Sequence, residues 1–229
     1  MENKDTIYTR TEMMLGKEAV DKLRASHVAV FGVGGVGGFC VEALARAGIG
    51  KITLIDADRV AVSNINRQII ATNATVGQYK TEAMKARIAD VNPECEVITY
   101  EEFYSEENPI PLDGLDYIAD CIDSVRSKLY LITEAKAKDI PIISSMGAGN
   151  KLDPTRFTVA DVSKTHTDPL AKVIRTELRK KGINHLKVVF SDEMPINPGR
   201  ERTPGSISFV PSVVGLIMAG EIIKDIALR

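Results

Sequence analysis

The chain has no Cys-x-x-Cys pair, and its three cysteines, Cys40, Cys95 and Cys121, lie far apart. A four-cysteine zinc site is therefore excluded. Scattered thiols in apolar or regular segments fit a reducing, cytoplasmic location better than a disulfide scaffold. Charge of one sign is missing as well, since 29 Lys and Arg stand against 31 Asp and Glu. No overall field draws such a molecule to nucleic acid or membrane, and an acidic partner has to meet a local basic patch. The N-terminal stretch MENKDTIYTRTEMM is too polar for a signal peptide. The most apolar run, FVPSVVGLIMAGEIIKDIALR, is interrupted by Glu221, Lys224 and Asp225. It reads as a packed helix, because a membrane span needs about 20 apolar residues. Repeats and low-complexity segments are absent.

With 229 residues and 44% hydrophobic content, the chain can bury a full core as one large α/β domain. Apolar strand-like runs at 28–32, 51–55, 95–100, 116–122 and 140–144 alternate with helical patterns at 36–47, 80–91 and 124–138. That rhythm predicts a parallel sheet with helices on both faces. After Gly149 it changes. FTVADV (157–162), a basic helical segment at 169–181 and LKVVFS (186–191) lead to DEMPINPGRERTPGS, too rich in Pro, Gly and charge for regular structure. A stretch of that kind is either a lid or a disordered loop. SISFV and a final helix at 211–227 close the chain.

The segment FGVGGVGG (31–38) follows the β-branched run HVAV and precedes a helical pattern. Its Gly32-x-Gly34-x-x-Gly37 spacing is that of a dinucleotide turn. Glycine lets the backbone approach phosphate oxygens, and the helix N-terminus beyond supplies free N–H groups. Asp56, which ends KITLID, stands at the distance where an acidic residue binds ribose hydroxyls. These features favour a nucleotide site without choosing the nucleotide. The choice comes from DADRVAVSNINRQI (56–69) and GQYK (77–80), a cluster for which an NAD-dependent oxidoreductase has no use. Asp58, Asn64, Arg67, Gln68 and Lys80 fall where phosphates would lie, and Asn64, Arg67 and Lys80 carry donors suited to a triphosphate. A lone Lys or Arg is more often a solvated surface charge. Asp123, in YIADCIDS, falls at the carboxyl end of the sheet, where it would either hold Mg²⁺ beside phosphates or cap the following helix. His166 and His185 have no motif around them.

The combination of GVGGVGG, LIDADRVAVSNINRQ, VGQYK and CIDS resembles the E1-like superfamily, which activates carboxylates with ATP. The resemblance covers about residues 10–150. It implies a Rossmann-like, mostly parallel sheet with helices on both faces, extended by antiparallel strands in the C-terminal part. It also implies that Gly32, Gly34, Gly35, Gly37, Asp56 and Asp58 form the nucleotide site, with Gly35 and Asp56 at the adenosine. Asn64, Arg67 and Lys80 would contact phosphates, and Asp123 would hold Mg²⁺. Arg10, in YTRTEMMLG, would reach the triphosphate of a second subunit, making the enzyme a homodimer with composite sites. Catalysis would fall to Arg10, Arg67, Lys80 and Asp123.

Members that activate ubiquitin-like C-termini usually carry paired zinc cysteines, and thioester-forming members keep a cysteine after the sheet. Residues 122–229 hold no cysteine. From SSMGAGNKLDPTRF through VVFSDEMP to GSISFVPSVVGLIMAG, the chain resembles the tRNA threonylcarbamoyladenosine dehydratase branch. That resemblance implies activation of the carboxylate on adenosine 37 of tRNA, followed by ring closure with a nucleophile from the substrate. Residues 1–25 would then reach the dimer partner, 26–150 bind the nucleotide and 151–229 bind tRNA. Lys172, Arg175 and Arg179 recur at helical spacing and, with Lys180 and Lys181, offer the local basic patch tRNA requires. A solvated helix face is the plain alternative. The rival functions are activation of a sulfur-carrier C-terminus, a non-catalytic binding module such as the inert half of a heterodimer, and hydride transfer with NAD; a sulfur-transfer protein is a further candidate partner.

Overall fold

The computed structural model describes residues 5–196 and 204–228. Two short helices, α1 (Thr9–Leu15) and α2 (Lys17–Ala25), precede the sheet. An alternating series follows: β1 (His27–Phe31), α3 (Gly37–Ala47), β2 (Lys51–Ile55), α4 (Lys80–Val91) and β3 (Glu96–Tyr100). It continues through β4 (Tyr117–Asp120), α5 (Val125–Ala137) and β5 (Ile142–Ser145). The C-terminal part adds β6 (Phe157–Asp161), α6 (Pro169–Lys180), β7 (Lys187–Ser191) and α7 (Phe209–Ala227).

The strands form one seven-stranded sheet in the order β3-β2-β1-β4-β5-β7-β6. Every pairing is parallel except that of β6 with β7. The expected mostly parallel sheet is therefore present, and its antiparallel extension consists of the edge strand β6. Strands covered on both faces read as unbroken apolar runs, which is why HVAVF and KITLI were legible as strands. One core lies under α3, α4 and α7 and includes Leu44, Met84 and Met218. The other lies under α5 and α6 and includes Leu131, Ile174 and Leu178.

Element ends moved for local reasons. β4 stops at Asp120 rather than 122 because the Asp120 carboxylate takes the Ile122 N–H at 3.1 Å and turns the chain out of the sheet. β5 begins after Pro141, beyond Asp139, whose φ of +54° belongs to a turn. Phe209 and Val210 of SISFV already belong to α7. Within the polar stretch 192–206, residues 197–203 lie outside the described residues. No helix among the described residues is long and apolar enough to cross a membrane.

β1 lies between β2 and β4, so the chain leaves the middle of the sheet in opposite directions. Such a switch point opens a crevice at the carboxyl ends of the strands, where ligands bind in open α/β folds. Ahead of the sheet, Tyr8 is buried and its hydroxyl donates to Asn92 Oδ1 at 3.1 Å, while Asn92 Nδ2 donates to the Ala45 carbonyl at 3.1 Å. This peg fixes the start of α1, a helix with no buried residue of its own.

Candidate active site

The crevice at the switch point is a cleft of about 1050 Å³ with two ends. Gly32, Gly34, Gly35, Asp56, Asp58, Asn64, Arg67 and Lys80 line one end. Ser145–Lys151 and Asp168–Leu170, at the carboxyl end of β5 and the start of α6, line the other. Asp123 also lines the cleft.

Two of the glycines answer to the fold itself. Gly32 has a φ of +87°, and a Cβ on Gly37 would stand 1.8 Å from the Gly32 carbonyl oxygen, so a side chain there would break the turn. Gly37 lies behind the cleft lining. Gly34 is different: a Cβ there would meet nothing closer than Gln68 Nε2 at 3.7 Å. Protein packing does not demand glycine at that position, but close approach of a ligand phosphate to the backbone would.

The Asp56 carboxylate shapes the turn, accepting the Val33 N–H at 2.7 Å and the Asp58 N–H at 2.9 Å. Burial raises its pKa, against the opposing pull of Lys80 and these backbone donors. Lys80 opens α4 and is no surface charge, being 6% exposed. Its ammonium lies 2.6 Å from Asp58 Oδ2 and 3.7 Å from Asp56 Oδ1. Asn64 Oδ1 accepts the Ala61 N–H at 3.0 Å, closing the short turn that carries SNINRQ. Arg67 Nη1 donates to the Ser63 carbonyl and to Asn66 Oδ1, both at 2.9 Å, and its Nε and Nη2 have no hydrogen-bond partner among the described residues. Gln68 is buried against the turn, and its Oε1 also lacks a partner there. A bound group would satisfy it.

Asp123 is exposed and has no hydrogen-bond partner among the described residues. Ser124, rather than Asp123, occupies the N-cap of α5 and makes no side-chain capping bond, so the capping alternative is not realised. Cys121 reaches the cleft wall, but contact with Cys40 and burial push its thiol well above the ordinary range. A thiol kept protonated is a poor nucleophile.

Three polar groupings were missed in the sequence. Fully buried Lys128 meets Asp120 Oδ2 at 2.8 Å and Ser144 Oγ at 3.1 Å, joining β4, β5 and α5 beneath the cleft. At the second end, Lys151 meets Asp168 Oδ2 at 2.8 Å and the Gly147 carbonyl at 2.7 Å, while Asp168 Oδ1 caps α6 through the Ala171 N–H at 2.9 Å. Glu193 accepts the N–H groups of Leu152 and Asp153 at 2.9 and 3.0 Å. The only local signal for any of these was TDPL, an Asp-Pro helix start.

Two expected groups fall outside the cleft. Arg10 is exposed on α1 and does not line the cleft of its own chain. On α6, Lys172, Arg179 and Lys180 are exposed, as is Lys181 just beyond it. Arg175 departs from that face: it is half-buried, and its Nη1 donates to the Thr165 carbonyl at 2.6 Å and to Thr165 Oγ1. Lys180 pairs with Glu177 at 2.7 Å.

A phosphate-ready turn and an acidic strand end at the switch point place this molecule in the nucleotide-binding class of α/β proteins. Comparison with known proteins narrows the class. The chain belongs to the ThiF family, whose profile matches residues 8–228. It is 51% identical over 238 residues to the tRNA threonylcarbamoyladenosine dehydratase of Bacillus subtilis (strain 168), covering 96% of this chain and 94% of that protein. It is 41% identical over 203 residues to the Escherichia coli (strain K12) enzyme of the same name, covering 84% of this chain and 76% of that one. The crystal structure of the E. coli tRNA N6-threonylcarbamoyladenosine dehydratase in complex with ATP superposes with a TM-score of 0.89 at 37% identity, covering 96% of this chain and 93% of that chain.

Proposed function

We propose that the chain is an ATP-dependent tRNA-modifying enzyme that activates the carboxylate of threonylcarbamoyladenosine and closes it to the cyclic form with net loss of water. The reading is carried by its likeness, along nearly the whole of both chains, to the B. subtilis dehydratase. One continuous cleft supports it, with a nucleotide end and a second end for another reactant.

A carboxylate is a poor electrophile. Joined to phosphate as a mixed anhydride it gains a leaving group, and a nucleophile within the substrate then closes the ring and releases that phosphate. No enzyme nucleophile is required, in keeping with the protonated Cys121 thiol. What the protein supplies is position and charge. Gly34 gives the phosphates room, Asp56 keeps lone pairs for ribose hydroxyls, and Asn64, Arg67 and Lys80 donate to the phosphates. Lys80 has to exchange part of its contact with Asp58 for a phosphate oxygen.

Charge in the cleft argues for two further contributors. Among the described residues its lining holds five carboxylates (Asp56, Asp58, Glu102, Asp123, Asp168) and three cations (Arg67, Lys80, Lys151). Lys151 is already matched by Asp168. A triphosphate added to this balance needs more positive charge than the described residues of the lining provide. Asp123 suits Mg²⁺ carried in on the phosphates, because that ion commonly takes one or two carboxylates and keeps several waters. No group of three or more His, Cys, Asp or Glu among the described residues would hold a metal without a ligand's help. Bound there, Mg²⁺ would neutralise charge on the phosphate oxygens. The second contributor is Arg10 of another copy in a homodimer. α1 carries Arg10 beside Met13 and Met14, which are 72% and 86% exposed, and such methionines gain from cover by a partner.

For tRNA, Lys172, Arg179, Lys180 and Lys181 would meet backbone phosphates along α6, whose N-terminus forms part of the second end of the cleft. Titration calorimetry with ATP and Mg²⁺ tests the nucleotide assignment. The expected result is saturable ATP binding with no comparable affinity for NAD or NADP. Tighter binding of NAD would overturn the reading.

A further inference from the structure

The segment that carries Asp123 leaves β4 under the control of one buried carboxylate. Asp120 Oδ2 is held from two sides, by the Lys128 ammonium at 2.8 Å and the Ser144 hydroxyl at 2.6 Å. Oδ1 accepts the Ile122 N–H at 3.1 Å. The main chain between is tied down as well, with the Cys121 N–H donating to the Phe31 carbonyl at 2.8 Å and Ser145 Oγ to the Asp120 carbonyl at 3.3 Å. On the far side of Asp123, the Ser124 carbonyl accepts the Lys128 N–H at 2.9 Å. Asp123 therefore lies between two points tied to the same lysine, one through its ammonium and one through its backbone. Being exposed and without a hydrogen-bond partner among the described residues, it takes its position from this frame.

The frame meets the glycine turn directly. A Cβ on Gly32 would stand 2.8 Å from the Cys121 carbonyl oxygen and 3.4 Å from the Ile122 nitrogen. The glycine turn has anchors of its own, since the Gly32 N–H donates to the Ile55 carbonyl at 2.8 Å and the Val33 N–H to Asp56 at 2.7 Å. The turn suited to phosphates and the segment bearing Asp123 thus touch but are held independently. A buried ion pair adds little stability over apolar side chains of similar volume. The effect of Asp120 with Lys128 is therefore to be sought in what the pair fixes. Mg²⁺ demands near-ideal octahedral geometry, so a carboxylate shared with phosphate oxygens tolerates little misplacement.

Resting on the reading of Asp123 as the Mg²⁺ carboxylate, we infer that Asp120 is its positioning residue. It acts through the bond to the Ile122 N–H, and Lys128 and Ser144 hold its other oxygen.

The test compares two double variants of the full chain, neither of which leaves a buried charge unpaired. Asp120→Asn with Lys128→Met keeps an oxygen for the Ile122 N–H; Asp120→Leu with Lys128→Met removes it. ATP binding is titrated by calorimetry in Mg²⁺ and again in EDTA, well below each variant's melting temperature. The affinity gained from Mg²⁺ should fall about tenfold or more in the Leu variant, as it should in Asp123→Asn, and stay within about threefold of wild type in the Asn variant. Affinity in EDTA should hold in all of them, because the glycine turn keeps its own anchors. If leucine is not accommodated, Asp120→Ala with Lys128→Met removes the same oxygen and carries the same expectation. An undiminished gain from Mg²⁺ in the variant lacking the oxygen overturns the inference. So does an equal loss with and without Mg²⁺, the mark of a distorted site, or a lost gain in the Asn variant, which would place the effect in the charge rather than the turn. A wild-type protein that binds ATP equally with and without Mg²⁺ would strike the metal role proposed for Asp123, and this inference with it.

Discussion

Replacing Lys128 by methionine keeps most of the side chain's length and removes its charge. In the native protein Lys128 and Asp120 are both fully buried, 2.8 Å apart, and Ser144 Oγ lies 2.6 Å from the same carboxylate oxygen. Lys128→Met leaves the Asp120 carboxylate with hydrogen bonds from Ser144 and the Ile122 N–H but without a countercharge. Breaking one side of a buried pair costs about 3–5 kcal/mol, far more than the pair itself contributes over an apolar replacement. In a chain of this size each kcal/mol corresponds to about 2–4 °C in Tm, so melting followed by circular dichroism should fall by roughly 6–20 °C. The double variant Asp120→Asn with Lys128→Met removes both charges and should regain most of that loss. A single variant melting within about 2 °C of wild type, or a double variant no better than the single, would refute the reasoning.

Two further outcomes follow from the cleft. Arg10→Ala and Lys80→Ala should each lower turnover by roughly a hundredfold or more, while mixed dimers formed by subunit exchange recover activity in the one site that keeps both residues; no recovery on mixing would show that Arg10 does not act across subunits. Burial raises the Asp56 pKa and Lys80 holds that rise back, so Lys80→Met should raise it further. Protonation of Asp56 would then begin at higher pH, and the acid limb of ATP affinity should shift upward; calorimetry across pH that finds an unmoved limb would contradict this.

What the sequence made legible was set by local spacing and by apolar runs. The glycine turn, Asp56 at the end of β2 and the SNINRQ turn are each defined by neighbours a few residues away, so their pattern survives in one dimension. Lys80 was legible as a phosphate candidate, but its burial between Asp56 and Asp58 depends on the antiparallel bridge between Arg59 and Tyr79. Asp120 with Lys128, Lys151 with Asp168, and Glu193 with the 152–153 backbone are pairings made by the sheet. In sequence their members read as ordinary surface charges. Arg175 shows the same limit from the other side: its spacing puts it with Lys172 and Arg179, and only the position of the Thr165 carbonyl turns it inward. Helices α1 and α2 were hidden because their segment is polar, with α1 burying nothing.

The central claim is tested most directly by incubating the purified protein with ATP, Mg²⁺ and tRNA bearing threonylcarbamoyladenosine, then digesting the tRNA and weighing its nucleosides by mass spectrometry. The account predicts that the modified nucleoside becomes lighter by one water, only when ATP is present. A nucleoside of unchanged mass, from protein shown to bind both ATP and the tRNA, would contradict it.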